Sequence, residues 1–209
     1  MVTRKGTVKR LRLSELNTAR KAGIRAITLD EDDSLIAVRR TDGKQKILLA
    51  TRDGMAICFD ENDVRCMGRN AAGVRGITLG TDDCIVGAGI YEEGKTLLSV
   101  TENGFGKRTE LSAFLRLDGN GERTLTQSRG GKGMTAYGLS EKTGRVAGVR
   151  VVSGDEDLMV IENNGVIIRM QTSDIHVYGR TAQGVRVMRL EEGSKVISIE
   201  TVAREEEAE

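Results

Sequence analysis

The chain of 209 residues has no tryptophan, no proline, three phenylalanines, three tyrosines and a single histidine. With so few aromatic residues, a core has to be built from Val, Ile, Leu, Met and Ala, and a chain of this length can bury a sizeable one. Without proline, tight turns have to use glycine at positive φ, and 26 glycines are present. The lone histidine, His176, excludes a two-histidine metal site; between Ile175 and Val177 it reads as the end of a strand or loop. Cys58, Cys66 and Cys84 are odd in number and lack metal-finger spacing, so reduced and mostly buried thiols in a cytoplasmic protein are expected. No run approaches the roughly 18 apolar residues that span a bilayer, and no export leader precedes the first motif, so no membrane is expected as a partner. Gly-x-Ser-x-Gly is absent. The acidic residues gather in turns (Asp30 to Asp33, Asp155 to Asp157), where they cap backbone N–H groups rather than form an acid–base pair. No catalytic constellation is expected.

What is abundant is repetition. Arg4-Lys5-Gly6, Arg52-Asp53-Gly54, Glu102-Asn103-Gly104 and Asn163-Asn164-Gly165 each sit at the head of an apolar run. A second phrase answers each one: Ala22-Gly23-Ile24-Arg25, Ala72-Gly73-Val74-Arg75, Lys132-Gly133-Met134 and Gln183-Gly184-Val185-Arg186. The first glycines are spaced by 48, 50 and 61 residues and the second by 50, 60 and 51. The extra ten in the third unit fall between Leu115 and Leu125, where Asp118-Gly119-Asn120-Gly121-Glu122 reads as an inserted loop. A period near 50 marks an array of supersecondary units, none of which buries its apolar face alone.

Each unit reads as short strands. Lys46 to Thr51 and Met55 to Phe59 form a hairpin across Asp53-Gly54, and Leu158–Ile161 and Val166–Met170 another across Asn164-Gly165. A third strand such as Val74 to Leu79 and a fourth such as Cys84 to Gly87 follow. Helical periodicity is nowhere sustained; Ser14 to Lys21 reads as a loop with one turn. The expectation is an all-β, propeller-like array of about four four-stranded blades, with repeats at about 1–39, 40–89, 90–152 and 153–203, in one domain. The chain starts inside a hairpin, so the last strand, Val196 to Val202, is available to complete the first blade if the array closes. Residues 204–209 form an acidic tail with one positive and four negative charges; since the net charge is +1, the rest carries +4.

The richest segment for chemistry is Gln127-Ser128-Arg129-Gly130-Gly131-Lys132-Gly133. It is not a nucleotide-binding loop, because Lys132 is followed by glycine rather than Ser or Thr. Bare glycines would let a polyanion approach backbone N–H groups, with Arg129 and Lys132 adding charge-assisted bonds; the plain alternative is a surface turn. The other units offer cations at matching places: Arg20, Lys21, Arg69 and Arg180 ahead of the answering glycine, and Arg25, Arg75 and Arg186 after it. The hairpins add Lys9, Arg10, Lys107, Arg108 and Arg169. A cation that returns at one blade position makes an arc of positive charge suited to a bent polyanion; the alternative for any one of them is a solvated face with paired acids.

The phrases Asp63-Val64-Arg65-Cys66-Met67-Gly68-Arg69, Ala72-Gly73-Val74-Arg75-Gly76-Ile77, Gly106-Lys107-Arg108-Thr109 and Gln127 to Gly133 resemble, in order, the C-terminal domain of the bacterial DNA gyrase A subunit; topoisomerase IV has a related domain. The resemblance covers essentially the whole chain. It implies a β-pinwheel, a propeller-like ring whose blades exchange strands, and a non-catalytic role: binding and wrapping duplex DNA on a basic outer rim to support negative supercoiling. It implies as partners the B subunit, together with the rest of the A subunit, in an A2B2 heterotetramer associated with the nucleoid. ATP and Mg2+ would act elsewhere in that enzyme, and the strand-cleaving tyrosine is not Tyr91, Tyr137 or Tyr178. Two departures stand out: six blades are typical against four here, and Ser128 replaces the second basic residue of the family's box, which here lies in the third repeat. A protein-interaction propeller is the rival reading from outside the family.

Overall fold

The computed structural model describes residues 1–204; of the acidic tail, residues 205–209 lie outside the described residues. The first unit contains β1 (Val2–Thr3), β2 (Thr7–Val8) and β3 (Leu35–Ala37). The second contains β4 (Lys46–Thr51), β5 (Met55–Asp60), β6 (Val74–Arg75) and β7 (Ile85–Ile90). The third contains β8 (Thr96–Thr101), β9 (Phe105–Glu110), the inserted pair β10 (Arg116–Leu117) and β11 (Arg123–Leu125), β12 (Met134–Thr135) and β13 (Val146–Val152). The fourth contains β14 (Glu156–Glu162), β15 (Ile167–Gln171), β16 (Val185–Arg186) and β17 (Val196–Ala203). A 3-10 turn follows each hairpin at the same offset from its glycine, at Leu13–Leu16, Glu61–Asp63, Leu111–Phe114 and Thr172–Asp174. There is no α-helix among the described residues.

Each of the first three blades takes its two hairpin arms and a return strand from one unit and its outermost strand from the next. The sheets run β3-β1-β2-β6, β7-β4-β5-β12 and β13-β8-β9-β16; the fourth is β17-β14-β15. The residue pattern puts a third strand such as Val74 to Leu79 in its own unit, whereas the strand is only Val74–Arg75 and belongs to the preceding blade, the exchange that the family resemblance implies. The register repeats: Thr7 opposes Arg75 and Val8 opposes Val74; Met55 opposes Thr135 and Ala56 opposes Met134; Phe105 opposes Arg186 and Gly106 opposes Val185. The two repeated phrases are therefore the two halves of one joint, and the answering phrases of units two, three and four each belong to the hairpin one unit earlier.

The idea that Val196 to Val202 completes the first blade is corrected. This strand pairs along its length with β14 in the fourth blade, and Leu35–Ala37 supplies the return strand of the first. The return strand is the last piece of each unit, so the first unit carries its own.

Apolar runs such as Ile47 to Ala50 are continuous rather than alternating because both faces of a blade are covered. Leu49 joins Val2, Val8, Ile57, Phe59 and Ile85 between the first two blades, while Leu48 joins Leu97, Leu111 and Phe114 between the second and third. Leu98, Val100, Leu158, Val160 and Ile199 fill the third junction. Return strands of neighbouring blades lie against each other, and glycine makes this possible: a Cβ on Gly87 would stand 2.5 Å from Val149 Cγ2 and 3.0 Å from its carbonyl oxygen. The hairpin tips of units two and three are clamped by Arg52, which donates to Glu102 at 2.7 Å.

Candidate nucleic-acid interface

The loops between each 3-10 turn and the exchanged strand run along the outer edge of the preceding blade. Met67 N–H donates to Arg10 C=O at 2.9 Å, Gln127 N–H to Cys58 C=O at 2.7 Å and Tyr178 N–H to Arg108 C=O at 2.8 Å. The loops are also fastened to one another. The Arg129 guanidinium donates to the carbonyl oxygens of Asp63 (2.8 Å) and Arg75. One unit later Arg180 donates to the Thr135 carbonyl at 2.9 Å. Arg75 and Thr135 hold the same place, two residues after the answering glycine. In units three and four an arginine four residues before the glycine thus ties the loop to its predecessor, and this joins the loops of units two, three and four into one edge.

The glycine-rich segment is part of this stitching, which corrects the expectation that its glycines offer free N–H groups to phosphate. Gly130 N–H donates to Gly76 C=O at 2.8 Å and Gly131 N–H to Ser128 C=O at 3.3 Å. Thr78 in turn donates its N–H to Gly131 C=O (2.9 Å) and its hydroxyl to Gly130 C=O (2.7 Å). Gly133, at φ +75°, is glycine because a Cβ there would run into the Ala56 carbonyl. Gln127 turns inward and donates to Phe114 C=O at 3.1 Å. Only Lys132 in the segment is an exposed cation.

The other expected cations separate into three groups. Lys9 and Lys107 are not on the rim: they are 3% and 0% exposed. Lys9 Nζ donates to the carbonyls of Ala26 (2.8 Å), Arg69 (2.6 Å) and Ala71 (2.7 Å), and Lys107 Nζ to those of Gly179 (2.8 Å) and Arg180 (2.6 Å). Lys107 also lies 4.8 Å from the centre of the Tyr137 ring. Neither has a carboxylate partner among the described residues, and burial lowers both ammonium pKa values; Lys107, which also feels Arg180, falls to about 8. These two are internal posts that hold the exchanged loops, and phosphate cannot reach them. Hydrophobic residues, Ile57 and Ile168, take the same place in the other two hairpins.

A second group is engaged yet reachable. Arg10 pairs with Glu61 (3.5 Å) and Asn62 (2.9 Å), and Arg169 with Asp157 (2.8 Å). Arg108 donates to Ile175 C=O at 2.6 Å. Arg129 and Arg180 likewise bond carbonyls, which leaves their charge uncompensated. The third group, Arg20, Lys21, Arg25, Arg75, Lys132 and Arg186, is exposed and makes no ion pair among the described residues; half-buried Arg69 makes none either. Arg186 packs over the Phe105 ring at 5.4 Å. Arg75, Arg129, Lys132 and Arg180 are brought together by the stitches; Arg20, Lys21 and Arg25 lie on a first-unit loop that joins no sheet.

Among the exposed arginines that the repeat pattern passes over are Arg65, Arg116 and Arg123. Arg65 lies in the second unit's loop. Arg116 and Arg123 sit on the inserted segment, which is a β10–β11 hairpin rather than a bare loop. Leu-Arg-Leu before Asp-Gly-Asn-Gly and Arg-Thr-Leu after it was the available signal.

Against known proteins, the family model described as DNA gyrase C-terminal domain, beta-propeller, matches residues 1–42, 45–91, 95–117, 125–153 and 156–203. The A subunit of DNA gyrase from Staphylococcus epidermidis is 43% identical over 207 residues, covering 98% of this chain and 22% of that protein. The chain thus spans about a fifth of the length of the curated relatives it matches. A crystal structure of the C-terminal domain of DNA topoisomerase IV superimposes with a TM-score of 0.86 at 28% identity, over 97% of this chain and 60% of that one. A structure of a DNA gyrase A C-terminal domain gives 0.79 at 26%, over 96% and 64%.

Proposed function

The chain belongs to the DNA gyrase C-terminal domain, beta-propeller, family, and on that premise we propose that it binds duplex DNA through phosphates along the stitched outer edge of its blades, without reading bases. In this reading it is the DNA-wrapping part of the gyrase A subunit, within an ATP-dependent type II topoisomerase, and supports negative supercoiling. Its partners are the B subunit together with the remainder of its own subunit, in an A2B2 assembly on the nucleoid, with ATP and Mg2+ acting outside this chain.

One observation carries the proposal. Successive loops present Arg75, Lys132 and Arg186 to solvent with no carboxylate partner among the described residues, while backbone stitches fix the spacing between them. Cations fixed on a rigid edge lose little freedom when they meet phosphates, and each phosphate neutralised releases condensed counterions. Bending a short duplex over such an edge costs about 1–6 kcal/mol by elastic estimates, so several blades have to share the contacts. Gel-shift titration of linear duplex at graded salt tests this: log K should fall linearly with log salt, by about 0.9 per phosphate contacted. A flat salt response ends the proposal. The 0.86 superposition on the topoisomerase IV domain favours that enzyme as a second reading, and supercoiling assays of the full-length protein separate the two.

A further inference from the structure

The inserted hairpin of the third unit enters the repeat at one fixed point. In units two, three and four the 3-10 turn is followed by a buried anchor, Val64, Leu115 or Ile175, whose N–H donates back to the carbonyl of Glu61, Ser112 or Thr172. The residue after each anchor is exposed: Arg65, Arg116 and His176. In units two and four the loop then bonds the preceding blade two residues later, through Met67 and Tyr178; in unit three Gln127 makes that bond. Residues 117–125 are therefore added length between Arg116 and Thr126, and Arg116 holds the place of Arg65. The hairpin leaves the outer edge of the second blade, with the four-stranded first and third blades on either side, so its setting does not depend on where the chain begins or ends.

The base of the hairpin is basic. Arg116 Nε donates to Thr126 C=O at 3.0 Å and Arg123 Nη1 to Leu115 C=O at 2.9 Å. Carbonyls hold these guanidinium groups in place without cancelling their charge, and neither arginine, nor Arg65, makes an ion pair among the described residues. At the tip Asp118 is turned onto its own loop, accepting from the N–H groups of Asn120 (2.9 Å) and Glu122 (3.0 Å) and the Thr124 hydroxyl (2.9 Å). Every residue of β10 and β11 is exposed. Arg116 opposes Leu125 and Leu117 opposes Arg123, and opposed residues share a face, so each face of the ribbon shows one arginine and one leucine.

We propose that the β10–β11 hairpin is a further contact with duplex DNA: Arg116 and Arg123 hold phosphates beside those held by Arg75, Lys132 and Arg186, Arg65 does the same one unit earlier, and Leu117 and Leu125 pack on the sugars. The proposal rests on the reading of the outer edge as a duplex track. Two observations select DNA as the occupant. The charge at the hairpin base is uncompensated, and the same loop runs on into Arg129 and Lys132, so the new contact is continuous with the edge. A two-stranded ribbon is also of a width that a major groove admits. The tip, with Asp118 and Glu122, stays clear of the phosphates.

The test is duplex binding at graded salt, with Lys132→Ala as the reference for the edge itself. Arg116→Gln and Arg123→Gln together keep N–H donors for the two carbonyls and remove the charges; they should flatten the log–log salt slope by about 1.8, and Arg65→Gln by about 0.9. A chain without residues 117–125, in which Arg116 stands as Arg65 does, should keep its circular dichroism, lose about 0.9 of slope and give a shorter hydroxyl-radical footprint. With Cys66→Ser as background, Leu117→Cys carrying a photo-crosslinker should attach to the duplex and Asn120→Cys should not. If Lys132→Ala weakens binding while the glutamine pair and the shortened chain bind as the unmodified chain does, the hairpin is no contact and the edge reading stands. If the unmodified chain shows no salt-dependent binding, both fall. Crosslinking from Asn120 alone also overturns the proposal.

Discussion

The ammonium of Lys107 lies 2.6 Å from the carbonyl oxygen of Arg180, a residue 73 positions later in the chain. This contact holds the fourth unit's loop to the third unit's hairpin, and it separates cations that build the edge from cations that face solvent. Lys107→Met keeps the volume but leaves two carbonyls without their donor, so stability should fall by about 1–3 kcal/mol in urea melts. DNA affinity, measured well below the melting temperature, should change less than in Lys132→Ala. The opposite order would place Lys107 in contact with DNA.

The same group sets a pH dependence. Folded, Lys107 titrates near 8; unfolded, it returns to its ordinary value of about 10.4. Between these values the unfolded chain holds a proton that the folded chain has released, so this group's contribution to stability should rise with pH through the window. Below about 8 both states are protonated and the group contributes no slope. Burial also raises the Cys58 thiol and the Tyr137 hydroxyl, whose contributions fall with pH above about 9 and 10 and oppose the rise there. Urea melts from about pH 7.5 to 9 should show the rise, and Lys107→Met should weaken it.

The exposed cations should act through salt. Arg75→Ala, Lys132→Ala and Arg186→Ala should each weaken duplex binding whatever its sequence and flatten the log–log salt slope by about 0.9 for each phosphate no longer neutralised. Arg169→Ala should do less, because Asp157 already compensates that charge. Equal effects at all four positions would contradict this ranking.

Blade packing should depend on bare backbone. Gly87→Ala drives a methyl into Val149 and its carbonyl and should cost about 1–3 kcal/mol. Gly94→Ala, with nothing within 4 Å, meets only its φ of +79° and should cost less. Thermal melts of the two variants give the comparison.

The thiols should divide by burial. Cys66 is exposed, Cys84 is buried, and burial pushes the Cys58 thiol up to about 12. A disulfide-exchange reagent at pH 8 should modify one thiol quickly in the folded chain and all three after unfolding.

Much of this architecture was legible because it is local. A glycine at positive φ between apolar runs makes a hairpin wherever the chain goes, so Gly54 and Gly104 marked their hairpins. The period of about 50 residues marked an array. The pairing of each answering phrase with the previous hairpin was harder to see, because strands of two residues carry no periodicity that says whose edge they join.

By itself the sequence determined the all-β class, the four hairpins and the phrases that recur with them, since turn chemistry and hydrophobic patterning act over a few residues. The tertiary structure alone decided the fate of each cation. Lys107 and Lys132 look alike in sequence, yet one is an internal post and the other a solvated charge. Their surroundings come from loops 50 or more residues away, and burial and hydrogen bonding at that range are set only when the blades assemble.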